Sequence, residues 1–158
     1  MKPERNFMLA AIKAAEQAGK SGDYPIGSVI VKNGKILSVG KETLFSVKDP
    51  TGHAEIWAIR KACKKLKTAS LKGCEIYSTH EPCPMCTGAI LWSGIDKIIF
   101  GAGRKDMITH MKSNLSRKFH WSQINVSCAQ ICDKAHYKPE IKSGFMRKEC
   151  LELFALTR

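Results

Sequence analysis

The sequence is poor in acidic residues, in long apolar runs and in repeats. Of its 158 residues only 14 are Asp or Glu, against 26 Lys or Arg, so the formal charge is +12. Such an excess favours polyanionic partners, nucleic acid or an anionic membrane surface, and identifies no fold. No apolar run approaches the ~20 residues of a membrane-spanning helix. The N-terminal stretch Phe7 to Ile12 reaches only six residues before Lys13. That is short of the ~7–15 residues of a signal-peptide core. The expectation is a soluble cytoplasmic protein with no membrane partner. Cysteine comes to seven, an odd number that excludes a complete intramolecular disulfide framework. Low-complexity tracts and linkers are also missing. With 44% hydrophobic and 25% charged residues, the composition is that of a globular chain. A single domain over residues 1–158 is expected.

What is present is an ordered alternation of elements. Phe7, Ala11, Ala14, Ala15 and Ala18 recur at helical spacing over residues 6–20, and Gly19 and Gly22 end that helix. Residues 26–31 and 35–39 read as two strands around Asn33-Gly34, a pair that tolerates positive φ and so marks a hairpin. A loop over 40–52 leads into a helix over 53–66. A strand over 74–78 follows Gly73. Pro82 and Pro84 open a helix reaching Trp92, and 97–100 is a fourth strand. Residues 101–138 read as less regular, with a helix allowed over 124–136. A last strand over 139–143 and a helix after Gly144 close the chain. This order fits a mixed sheet covered by helices on both faces.

Three motifs bear chemistry: His53-Ala54-Glu55, the run Pro82-Cys83-Pro84-Met85-Cys86, and the placing of both at helix N-termini. Cys83 and Cys86 are three apart and share one helical face. A helix N-terminus favours thiolates through its dipole and its free N–H groups. Two thiolates and an imidazole make a three-ligand zinc site that keeps a fourth position open, as catalytic zinc requires. Zinc lowers the pKa of a bound water to about 7. Glu55, two residues from His53, is the carboxylate placed to carry protons. A purely structural zinc site or a redox C-x-x-C are the alternatives. The first wants a fourth protein ligand, for which Cys63, Cys74 and His80 are candidates at unexpected spacing. The second leaves His53 and Glu55 without a use.

H-x-E followed by P-C-x-x-C is the signature of zinc nucleobase deaminases, and the chain resembles the cytidine/deoxycytidylate deaminase superfamily. Residues 25–37, 49–62, 81–93 and 98–102 are similar to the branch holding guanine deaminase, cytosine deaminase and tRNA-specific adenosine deaminases. The resemblance implies a cytidine deaminase-like α/β fold, a three-layer α/β/α sandwich around a five-stranded mixed sheet. It implies one zinc per chain held by His53, Cys83 and Cys86, with Glu55 as general acid and base. It places the amide of Ala54 and the carbonyl of Glu81 at the base edge, and it implies a dimer or tetramer, with a homodimer expected here.

One position departs from the branch's usual pattern and another divides its members. Where its members carry Asn in the loop after the second strand, this chain has Glu42. Asn donates and accepts, whereas an ionised Glu only accepts. Trp92 stands where guanine deaminases have an aromatic near the base, and with Glu42 it is expected to shape the pocket. Trp92 points to a small-molecule nucleobase or nucleoside, while the ending MRKECLELF (146–154) is similar to the tRNA deaminases. Residues 104–121 interleave Arg104, Lys105, Lys112, Arg117 and Lys118 with Phe119 and Trp121. That mixture suits single-stranded nucleic acid, or a lid or subunit contact. Cys128, Cys132 and His136, spaced by four, could align on a helix as a second metal site; buried thiols plus a surface His are the plainer reading. Three functions follow. The first is a hydrolytic deaminase of a nucleobase or nucleoside that releases ammonia. The second is a tRNA-specific adenosine deaminase making inosine in an anticodon loop. The third is a zinc-holding binding protein without turnover, against which the intact Glu55 argues.

Overall fold

The computed structural model describes residues 3–113 and 124–156. Helix α1 (Arg5–Lys20) buries Phe7, Met8, Ala11, Ala14, Ala15 and Ala18, the periodic apolar stripe of the sequence. Strands β1 (Gly27–Lys32) and β2 (Lys35–Lys41) form the hairpin. Its turn places Asn33 at φ 50° and Gly34 at φ 70°, the left-handed region an Asn-Gly turn supplies at low cost. Helix α2 (Ala54–Leu66), strand β3 (Cys74–His80), helix α3 (Pro84–Ser93) and strand β4 (Lys97–Ala102) follow in the expected order. Helix α3 ends at Gly94, in the left-handed conformation (φ 71°) that closes a helix.

The later chain differs in detail. Residues 104–113, read as irregular, form helix α4 (Arg104–Ser113). Its start is fixed by side chains rather than by an apolar stripe: Asp106 accepts from the Gly103 amide (2.9 Å) and Glu81 from the Arg104 amide (2.7 Å). Helix α5 (Cys128–Cys132) is shorter than the allowed 124–136, and begins at a capping box between Ser127 and Gln130. Strand β5 (Glu140–Lys142) and helix α6 (Arg147–Glu152), with a final 3₁₀ turn over Leu153–Leu156, complete the chain. Arg117, Lys118, Phe119 and Trp121 of the basic segment lie outside the described residues.

The five strands stand in the order β2-β1-β3-β4-β5. β1 pairs antiparallel with β2 and β3, while β3–β4 and β4–β5 are parallel. Alternation along β3 divides the core. Cys74 and Ile76 face the α2, α3 and α5 side with Ile59, Ile90 and Cys128. Tyr77 faces the α1 and α6 side with Phe7, Ala11 and Cys150. Helices thus cover both faces of a mixed five-stranded sheet, as expected. The parallel pair β3–β4 makes the C-terminal ends of these strands the edge at which α3 and α4 begin.

One glycine sets the position of α2. A β-carbon on Gly40 would collide with the carbonyl oxygen of Ala54 and lie 2.6 Å from the amide nitrogen of Ala58. The missing side chain lets the first turn of α2 rest directly on β2, where the Ser38 hydroxyl donates to the Ala58 carbonyl at 2.7 Å. Among the described residues no helix is long and apolar enough to cross a membrane.

Candidate active site

The site is built where two helices begin. His53 precedes α2 in extended conformation, and its carbonyl accepts from the Trp57 amide at 3.0 Å. Cys83 holds the same position before α3, its carbonyl accepting from the Thr87 amide at 2.8 Å. Pro84 supplies the first helical residue, where a missing N–H costs nothing. Thr87 also donates its hydroxyl to the Pro82 carbonyl at 3.1 Å, which fixes the turn carrying Cys83.

These two starts bring three donor atoms together. Nδ1 of His53 lies 3.6 Å from Sγ of Cys83 and 3.5 Å from Sγ of Cys86. All three atoms fall within 4.8 Å of one another. A tetrahedral zinc with Zn–S ≈ 2.3 Å and Zn–N ≈ 2.1 Å would set its S and N ligands about 3.6 Å apart. The observed spacing and the soft, mixed donor set fit that ion. Among the described residues this is the one group of His, Cys, Asp and Glu side chains arranged to hold a metal.

The proton balance of the three groups points the same way. The Cys86 thiol, with help from His53, holds Cys83 down at about 4, against the effect of burial. Cys86 is pushed well above its usual range, because it donates to Cys83 and is buried. Burial would lower His53, but the Cys83 thiolate and the Glu42 and Glu55 carboxyls outweigh it and raise the imidazole to about 9. The cluster already carries a thiolate, and a metal would take the place of its shared protons.

Glu55 lies in the first turn of α2, 3% exposed. Its carboxyl is raised by burial, eased by His53, and its Oε1 accepts from the Ser78 hydroxyl at 2.7 Å. Ser78 is a site residue that the motif reading missed. Its signal was the period-2 pattern of β3, which puts Ser78 on the same face as Cys74 and Ile76, toward α2.

The structure brings Glu42 to the cluster as well. It is 1% exposed, and its amide donates to the Ile26 carbonyl at 3.0 Å. Neither oxygen of its carboxyl has a hydrogen-bond partner among the described residues. Burial pushes this carboxyl up to about 8, with His53 opposing and Glu55 adding to the rise. The nearby Ala54 amide eases it without a hydrogen bond of normal geometry. Glu81, at the end of β3, has a use the sequence did not show. Its carboxylate accepts from the amides of Arg104 (2.7 Å) and Cys128 (3.0 Å), tying the starts of α4 and α5 to the strand that leads into Cys83.

Trp92 is the correction. It sits in the last turn of α3 and is 93% exposed. Six residues beyond Cys86, it lies about 9 Å further along the helix axis, so it does not line the pocket of its own chain. Cys128 and Cys132 are buried on α5, while His136 lies exposed beyond that helix, so the three do not converge. His80 is buried with Nδ1 2.9 Å from the Thr79 hydroxyl and its ring near Phe154, away from the metal-ligating group.

Comparison with known proteins agrees with this geometry. The family described as the cytidine and deoxycytidylate deaminase zinc-binding region matches residues 1–102. The chain belongs to this family. Its expected fold, its zinc and the hydrolytic deaminase class of its chemistry agree with that membership. The tRNA-specific adenosine deaminase of Bacillus subtilis is 33% identical over 151 residues, 95% of this chain and 85% of the relative. The guanine deaminase of Bacillus subtilis is 46% identical over 101 residues, 63% of this chain and 65% of the relative. The tRNA-specific adenosine deaminase of Aquifex aeolicus is 46% identical over 96 residues, and the chain spans 64% of its length. A solved structure from work on A-to-I editing by tRNA:A34 deaminases superposes with a TM-score of 0.78 at 29% identity, covering 95% of this chain and 99% of that one.

Proposed function

We propose that the chain removes the amino group of a nucleobase or nucleoside by hydrolysis and releases ammonia, with residues 1–158 acting as one domain. The observation that carries this reading is the spacing of His53 Nδ1 and the two sulfurs beside a buried, raised carboxyl at Glu55. His53, Cys83 and Cys86 hold the zinc. Bound zinc makes water acidic enough to supply a nucleophile near neutral pH. Glu55 would move one proton of the attacking water to the ring nitrogen, and then the second, from the hydroxyl left on the ring carbon, to the departing amine as the C–N bond breaks and the carbonyl forms. The Ser78 hydroxyl keeps the carboxyl aimed. The Ala54 amide and the Glu81 carbonyl hold the base edge, and Glu42 closes the buried side of the pocket. A panel of cytosine, isocytosine, guanine, adenine and their nucleosides, read by ammonia release, tests this. Absence of release from every member, by zinc-loaded protein, would refute it.

A second reading is deamination of an adenosine in a tRNA anticodon loop. Two observations favour it. The tRNA:A34 deaminase structure aligns over nearly its whole length. A cleft of ≈ 490 Å³ lined by Arg104, Lys105, Ser127 and Gln130 adjoins Glu81, offering cations to a nucleic acid backbone. Binding of an anticodon stem-loop that weakens steeply with salt would support it.

We also read the chain as a homodimer in the cytoplasm. Met85 (37% exposed), Ala89 and Trp92 (93% exposed) share one face of α3, and a second subunit would cover that apolar stripe. Trp92→Glu is expected to shift the sedimentation coefficient to that of a monomer. Free thiols at all seven cysteines accord with a reducing compartment.

A further inference from the structure

The Glu42 carboxyl is buried beside the metal-ligating group and has no hydrogen-bond partner on either oxygen among the described residues. Burying a polar group without a partner is costly. An unsatisfied carboxyl therefore persists where something outside the protein completes it. What completes it follows from its chemistry. An ionised carboxyl accepts on both oxygens; a protonated one donates once and still accepts on the other oxygen. In either state at least one oxygen requires a donor, and none of the described residues supplies one in hydrogen-bond geometry.

Free nucleobases and their N-glycosides differ in that respect. A free purine carries a hydrogen on one imidazole nitrogen, and a free pyrimidine carries one on the nitrogen that would join the sugar. A glycosidic bond removes that N–H. The remaining imidazole nitrogen of a purine nucleoside is an acceptor only, so its ring edge offers no donor to the Glu42 oxygen that must accept, and against an ionised Glu42 it sets two acceptors face to face. We propose that Glu42 is the specificity determinant of this pocket and selects free nucleobases, by accepting a hydrogen bond from the ring N–H that glycosylation would remove. This rests on the nucleobase-deaminase reading and narrows it from bases and nucleosides to bases. The loop geometry holds the residue in place. Glu42 is tied by its amide to Ile26, and the adjacent Thr43 bonds Gly52 through its amide (2.9 Å) and Trp57 through its hydroxyl (2.7 Å, the indole donating). That framework fixes the backbone from which the carboxyl projects.

The test is calorimetric binding of product-like bases to the zinc-loaded full chain, in pairs that differ only at the glycosidic nitrogen. The pairs are hypoxanthine and 9-methylhypoxanthine, xanthine and 9-methylxanthine, and uracil and 1-methyluracil. The expected result is that at least one free base binds on the order of tenfold tighter than its methyl partner. In Glu42→Gln that preference should fall to within about threefold, because the amide supplies its own donor. Zinc content and the melting curve report whether the variant is folded, and Glu42→Asn replaces it where it is not. Equal binding of each pair by the unmodified chain overturns the proposal, since a contact to an exocyclic group would survive methylation. A preference that survives either folded variant also overturns it, since it then arises from steric exclusion of the methyl group. Ammonia release separates this inference from the reading beneath it. Release from nucleosides or a stem-loop without a free-base preference overturns the inference alone. No release from any substrate, with no base bound, overturns both.

Discussion

Ser78 and Glu55 are joined across the contact between β3 and α2 by a buried hydrogen bond of 2.7 Å, the serine hydroxyl donating to Oε1. On the proposed reading, the bond orients the carboxyl that carries the protons. Glu55→Ala is therefore expected to lower the rate of ammonia release by at least about 10²–10⁴-fold, the range of a general acid–base group, with zinc retained. Ser78→Ala should cost on the order of tenfold, as a lost hydrogen bond to a charged group does. Rates at saturating substrate, set beside zinc content, check both. Equal loss of zinc and rate would assign Ser78 to folding instead.

Metal analysis of the gently purified chain should find about one zinc per molecule. His53→Ala and Cys86→Ser should each lose it, because two remaining ligands fall short of the three protein ligands a catalytic zinc site uses. Acid should also release it. The ligands bind zinc in deprotonated form, so lowering the pH adds protons that compete with the ion. The direction is fixed: affinity falls as pH falls.

The zinc-stripped chain should be alkylated first at Cys83. Its thiol, lowered to about 4 by the Cys86 thiol and His53, is a thiolate at neutral pH. The buried thiols Cys128 and Cys150 are pushed up to about 12 and remain protonated and slow. Peptide mapping after brief iodoacetamide treatment reads the order. Zinc added beforehand should protect Cys83, and alkylation spread evenly over the seven cysteines would contradict the assignment.

Gly40→Ala should destabilise the fold by about 1–3 kcal/mol, the cost of overpacking. The added methyl meets backbone atoms of Ala54 and Ala58, which cannot rotate away as a side chain would. Because the displaced turn carries Glu55 and follows His53, zinc affinity should fall together with the denaturation midpoint. Val39→Ala, one position earlier and on the exposed side of β2, serves as the control and should leave zinc binding unchanged.

Some of this was decided by the chain alone. Asn33-Gly34 fixes the hairpin because both residues accept positive φ at little cost. The apolar stripe of α1 and the alternation in β3 identify two core faces, since burial must follow the period of each element. His53, Glu55, Cys83 and Cys86 can be picked out because metal chemistry allows few residue types at few spacings. Other features depend on contacts distant in sequence. Helix α4 has no periodic stripe and starts where Glu81 and Asp106 cap it. Trp92 looks like a pocket residue by its place in the motif, but the helix that presents Cys86 at its first turn carries Trp92 out to solvent at its last. Ser78 has no motif, and becomes a partner of Glu55 only because β3 packs under α2. Glu42 is an ordinary surface residue by type. Its burial, with neither carboxyl oxygen hydrogen-bonded among the described residues, is a property of the assembled structure, and the proposed selection of substrate rests on it.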